Sequence, residues 1–112
     1  VVTFNANYDH PDVQSFVRQY EERYGSIPQN FAACLAYDSV YLWKAAAEAA
    51  GSVEKNAVRE ALLTLRNIRG AHGLTYNVAP NGQTLHELLI IEIQNRKPVV
   101  IGKEVNTEVS FD

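Results

Sequence analysis

Cysteine is almost absent from this sequence. Cys34 is the only one among 112 residues. A single thiol excludes an internal disulfide and any cysteine-rich zinc centre. Set between Ala33 and Leu35, it reads as a small core hydrophobe rather than a reactive group. It does not choose between the cytosol and an exported location. Positive charge is also scarce: ten Lys and Arg stand against thirteen Asp and Glu, for a net charge of -3. The basic residues are scattered, and a nucleic-acid partner, which needs a concentrated cationic surface, is excluded. No apolar run approaches the roughly 18 residues of a membrane-spanning helix.

Recognisable catalytic chemistry is missing as well. His10, His72 and His86 do not fall at metal-ligand spacing on a shared helix. There is no Gly-x-Ser-x-Gly, no phosphate loop and no dinucleotide fingerprint. Gly70-x-x-Gly73 shares only its glycines with a nucleic-acid-clamping turn. No catalytic residue, metal or cofactor is therefore expected. No N-terminal signal pattern is present. The chain opens on Val1-Val2-Thr3-Phe4, a strand already under way, which is an odd beginning for a complete protein.

What is present is a run of well-punctuated elements. Val1 to Asn5, β-branched and apolar, predicts a short strand. Asp9 or His10 can cap a helix over Asp12–Tyr24, with Pro11 in its first turn and Gly25 at its end. Val13, Phe16, Val17, Tyr20 and Tyr24 give that helix one apolar face. A second helix, Asn30 to Ala50, has a narrow polar side made of Asp38, Tyr41, Lys44 and Glu48. Its remaining circumference is apolar or alanine, so it needs cover on several sides. A third, Val53 to Arg66, is capped by Ser52 and buries Val58, Ala61, Leu62 and Leu65. After a break at Gly70–Gly73, strands are expected at Leu74–Val78, Glu87–Gln94 and Val99–Ile101, with turns at Pro80-Asn81-Gly82 and Asn95–Pro98. Leu88 to Ile93 barely alternates, which predicts cover on both faces. Glu104 to Asp112 reads as a polar tail.

These elements do not close on one another. A helix that needs burial on several sides and a strand that needs cover on both faces are too much for three helices and a hairpin. The chain reads like the outer layer of a larger α/β protein with its central sheet missing.

The order of the signals is similar to the C-terminal region of type I periplasmic binding proteins, in the branched-chain amino-acid and amide branch. The resemblance runs from about Phe4 to Ile101. It rests on Tyr20–Gly25 with Ile27-Pro28, then Ala32–Val40 opening an alanine-rich helix that ends at Ala50-Gly51. Val58–Leu62, Gly70–Tyr76, Asn81-Gly82 and Asn95–Val99 follow in order. It implies a two-lobed α/β parent that closes on a solute between its lobes and delivers it to an ABC permease outside the cytoplasm. Residues 1–103 would be the C-terminal part of that domain, and 104–112 a tail.

The resemblance also implies that residues just before the Tyr37-Asp38 pair reach the cleft from the first lobe. Those are Asn30, Phe31 and Ala32, with Phe31 or Ala32 against an apolar ligand group; the plainer alternative is that Phe31 anchors the helix start in the core. Tyr8, in the loop after the first strand, is a further candidate. Groups holding an amino-acid carboxylate and ammonium would lie upstream. Asp38 reads as structural, with capture of a ligand ammonium as the alternative. Two other readings stay open: a sensor of the same fold that regulates a partner, and a self-associating interaction module. Standing alone, the chain is expected to hide its apolar faces in a homo-oligomer or by strand exchange.

Overall fold

The computed structural model describes residues 2–105, the side chains of His86 and Val105 excepted. Val1 and the segment from Asn106 to Asp112, which includes most of the expected tail, lie outside it. Three helices precede a meander of four strands: α1 (Pro11–Tyr24), α2 (Phe31–Ala50), α3 (Lys55–Thr64), β1 (Ile68–Arg69), β2 (Thr75–Val78), β3 (Thr84–Gln94) and β4 (Lys97–Val105). The strands form one antiparallel sheet in the order β1-β2-β3-β4.

The helices begin where their caps direct them. His10 is extended, and its Nδ1 accepts from the Asp12 N–H at 3.2 Å, with Pro11 as the first helical residue. Asn30 does the same for α2, accepting from the Ala32 N–H at 2.9 Å. α3 is shorter than expected. Glu54 rather than Ser52 caps it, its carboxylate accepting from the N–H groups of Asn56 and Ala57, both at 3.0 Å. The Ser52 hydroxyl instead accepts from the Glu54 N–H and shapes the turn before it. Leu65 leaves the helix in extended conformation, so the last expected turn is not helical.

Among the described residues, the first expected strand reduces to a single bridge. Val2 and Leu89 exchange two backbone hydrogen bonds, at 2.9 and 2.7 Å. That pair fastens the start of the chain to the middle of β3. The following residues then enter the core. Phe4, Val13, Phe16, Val17 and Cys34 form one buried cluster, with Phe4 and Phe16 edge to face at 5.9 Å. On the sheet side, Tyr76 and Val78 alternate inward along β2, and Leu74 and Leu89 are buried with them.

β3 and β4 are the long elements. β3 starts at Thr84, three residues before the expected position, and β4 runs through Glu104 and Val105. A bulge falls between Ile90 and Ile91. Before it, Leu89 is fully buried. Beyond it, Glu92, Ile93 and Gln94 are exposed, with Ile93 at 66 %. The expected two-sided cover therefore reaches only the first half of the strand. Pro98 is accommodated because β4 is an edge strand among the described residues.

Much apolar surface remains uncovered. On α2 only Cys34, Asp38 and Ala46 are buried, while Val40 and Trp43 are 65 % and 51 % exposed. The described body measures 48 × 35 × 19 Å, with a radius of gyration of 15.3 Å. A compact domain of this length has a radius near 13 Å. The cover that α2 requires is not supplied among the described residues.

The hairpin joining β3 to β4 turns on Asn95 and Arg96, with φ of 50° and 64°. Two consecutive positive φ values define a tight turn whose twist suits antiparallel strands, and a bulky residue is strained in the second position. Arg96→Gly is expected to stabilise the protein by about 0.5–1 kcal/mol, measured by chemical denaturation.

Candidate functional site

Asp38 lies inside α2 with only 3 % of its surface exposed. Its spacing from Tyr41, Lys44 and Glu48 suggested the polar side of the helix, but the side chain points inward. One oxygen accepts from the Ala71 N–H at 2.8 Å. The other accepts from the Tyr76 hydroxyl at 2.6 Å and from the Cys34 thiol at 3.7 Å. A buried carboxylate is tolerable only when its lone pairs are so occupied. The site thus joins α2, the Gly70–Leu74 loop and β2.

His72 is fully buried in the same cluster, its ring stacked on Tyr76 at 4.5 Å. Its Nδ1 lies 3.9 Å from Asp38 Oδ2 and accepts from the Leu74 N–H at 3.2 Å. The ring is therefore held between the loop backbone and the Asp38 carboxylate. Gly70 leaves no space beside these rings. A Cβ there would overlap both His72 and Tyr76.

The electrostatics follow from burial. The Cys34 thiol is pushed well above its ordinary value by desolvation, then by the charge of Asp38 beside it. The Tyr76 hydroxyl is pushed up by desolvation, then by its hydrogen bond to Asp38. Cys34 is consequently a protonated core residue and not a nucleophile. Among the described residues, no group of three or more His, Cys, Asp or Glu side chains is arranged to hold a metal ion.

The four residues expected to contact a ligand fall in two places. Asn30, Phe31 and Ala32 form the first turn of α2 and are exposed; Phe31 is 55 % exposed and enters no core cluster. Asn30 is occupied as the cap. Tyr8 lies before α1, half-buried and stacked on His10 at 5.7 Å, with its carbonyl accepting from Gln14 Nε2. No hydrogen bond or ring contact links Tyr8 to the α2 turn among the described residues.

Two open grooves flank the Phe16–Tyr37 contact between α1 and α2, of about 400 and about 700 Å³. Asp12, Ser15, Tyr41 and Arg69 line the first; Tyr20, Tyr24, Ala33 and Ala36 line the second. None of the four expected residues lines either groove. Arg69 pairs with Asp12 at 2.6 Å, but it is 76 % exposed, so the pair contributes little stability. The tyrosines were legible as an apolar helix face, whereas their grouping into grooves depends on how the two helices cross.

A family model described as periplasmic binding protein matches residues 1–98, and the chain belongs to that family, whose members bind solutes. No curated protein matches the sequence significantly. Solved structures of similar fold include the following three. A leucine binding protein, LivK, from Thermotoga maritima is 25 % identical, with a TM-score of 0.70 over 92 % of this chain. A periplasmic binding protein from Burkholderia mallei is 17 % identical, with a TM-score of 0.77 over 92 %. A solute binding protein of an ABC transporter from R. palustris, in complex with benzoate, is 18 % identical, with a TM-score of 0.67 over 99 %. The chain spans 29 %, 28 % and 30 % of their respective lengths.

Two consequences of the Asp38 cluster are measurable. Gly70→Ala is expected to cost about 1–3 kcal/mol, because buried rings must shift to admit the methyl group; equilibrium unfolding checks this. Cys34 and Tyr76 have folded pKa values raised above their ordinary 9.0 and 10.0. Their contribution to stability is complete below those values and is lost as pH rises toward the folded ones. Above about pH 9 the unfolded chain releases protons that the folded one retains, so stability should fall by up to about 1.4 kcal/mol per pH unit for each group. Tyr76→Phe should flatten that decline between pH 10 and 11 in a pH series of melting curves.

Proposed function

We propose that this chain is part of a two-lobed extracytoplasmic protein that captures a small amino-acid-like solute and delivers it to an ABC permease. The observation that carries the reading is the family match across residues 1–98. Two proteins of similar fold, one named for leucine and one holding benzoate, support a solute with a carboxylate on a compact apolar group. In this reading the chain contributes the C-terminal part of the binding domain, and the rest of the protein covers the exposed sides of α2.

Asn30, Phe31 and Ala32 are the ligand-facing residues of this segment, with Tyr8 a secondary contact. An exposed aromatic ring at a helix start suits the apolar part of such a solute, since binding would bury surface that these residues leave in water. The groups that hold the carboxylate and ammonium belong to other parts of the protein.

A thermal-shift panel on the full-length gene product, with branched-chain, aromatic and polar amino acids plus aromatic acids and amides, tests the proposal. A cognate solute at about 100 times its dissociation constant adds roughly 2.7 kcal/mol, or on the order of 5–10 °C. A panel without any shift would count against an amino-acid-like solute. The 112-residue chain by itself should self-associate through α2 and the outer hairpin; a monodisperse monomer by light scattering at high concentration would contradict this.

A further inference from the structure

The Asp38 cluster and the exposed turn of α2 occupy the same face of one helix. Phe31, Cys34 and Asp38 follow at i, i+3 and i+7. Seven residues fall about 20° short of two full turns and span about 10 Å. Phe31 therefore overhangs on the side where Asp38 is buried. The Asp38 contacts are the polar bonds that set the rotation of α2 about its own axis: the helix cannot turn without withdrawing the carboxylate from Ala71 N–H at 2.8 Å and from the Tyr76 hydroxyl at 2.6 Å. Those donors lie on the Gly70–Leu74 loop and on β2, held in turn by the ring stack of His72 on Tyr76 and by the close approach of Gly70.

From this geometry we infer that Asp38 is a positioning residue for solute capture, acting through the helix to place Phe31. The inference rests on the reading above, in which Phe31 faces the ligand. Asp38 itself does not contact the solute. A rotation of α2 by a few tens of degrees would swing the Phe31 ring out of position while leaving Asn30 able to cap, so loss of Asp38 is felt as weaker binding of the apolar part of the ligand.

The test is a double-mutant cycle on the full-length protein. Asp38→Asn, Phe31→Ala and the pair are titrated with L-leucine or benzoate, whichever shifts the wild type more, by calorimetry. Melting temperatures are recorded in parallel. The expected result is that Asp38→Asn weakens binding on the order of 10-fold in the wild-type background and has little effect once Phe31 is alanine, the two changes being coupled. Tyr76→Phe removes one donor and keeps the carboxylate; it should weaken binding in the same Phe31-dependent way. It serves where Asp38→Asn does not fold. Variants that melt lower yet bind as the wild type does, or losses that simply add to that of Phe31→Ala, would overturn the inference and leave the solute-binding reading standing. A wild-type protein that binds neither probe nor any other member of the amino-acid, aromatic-acid and amide panel would overturn the amino-acid-like reading, and this inference with it.

Discussion

The Asp38 carboxylate organises this chain. It is an ionisable group inside an apolar helix face, and burying it without partners would cost several kcal/mol. Its bonds reach residues 33 and 38 positions away in sequence. They join the helical part of the chain to the meander that follows α3. Around that point the other constraints make sense. Gly70 must lack a side chain, His72 must present a lone pair to the Leu74 N–H, and Tyr76 must keep its proton. A hydrophobic contact of similar area could hold the layers together, but it would not specify one rotation of α2 against the loop, because apolar contacts have no direction.

The second organising feature is uncovered apolar surface. α2 is capped at both ends by residues that suit the task, Asn30 and Gly51, and its backbone is fully helical between them. Its side chains are nevertheless largely in water. The outer half of the β3–β4 hairpin, past the bulge at Ile90 and Ile91, is equally uncovered. Related solved proteins are more than three times as long as this chain, and the exposed surfaces are of the kind that neighbouring elements cover. The bulge divides the hairpin at a useful place: Leu89 pairs with Val2 and is buried, while Ile93 four residues later stands free of the core.

Local signals in the sequence were reliable where a short-range rule sufficed. The ends of α1 and the C-terminal end of α2 followed from His10, Pro11, Gly25 and Gly51, because capping is settled within a few residues. Cys34 was readable as core from its apolar neighbours. The errors came where a distant partner decides. Val2 has the residue type of a strand but only Leu89 to pair with, so it forms a bridge. β1 is two residues long and exists because Asn67, at φ 55°, turns the chain alongside β2. Asp38 was legible as a structural residue and is one; its inward turn away from the polar stripe depends on the approach of Ala71 and Tyr76. Cys34, four residues before it in an otherwise apolar stretch, was the one local hint.

Composition, periodicity and caps determined by themselves that this is an α/β chain with three helices, a closing hairpin and one helix too apolar to stand in water. Those properties depend on side-chain type and on backbone bonds between near neighbours. The inward turn of Asp38, the two grooves between α1 and α2, and the separation of Tyr8 from Phe31 were decided by the tertiary structure. Each depends on which residues, dozens of positions apart, meet when the layers pack, and no spacing along the chain encodes that distance.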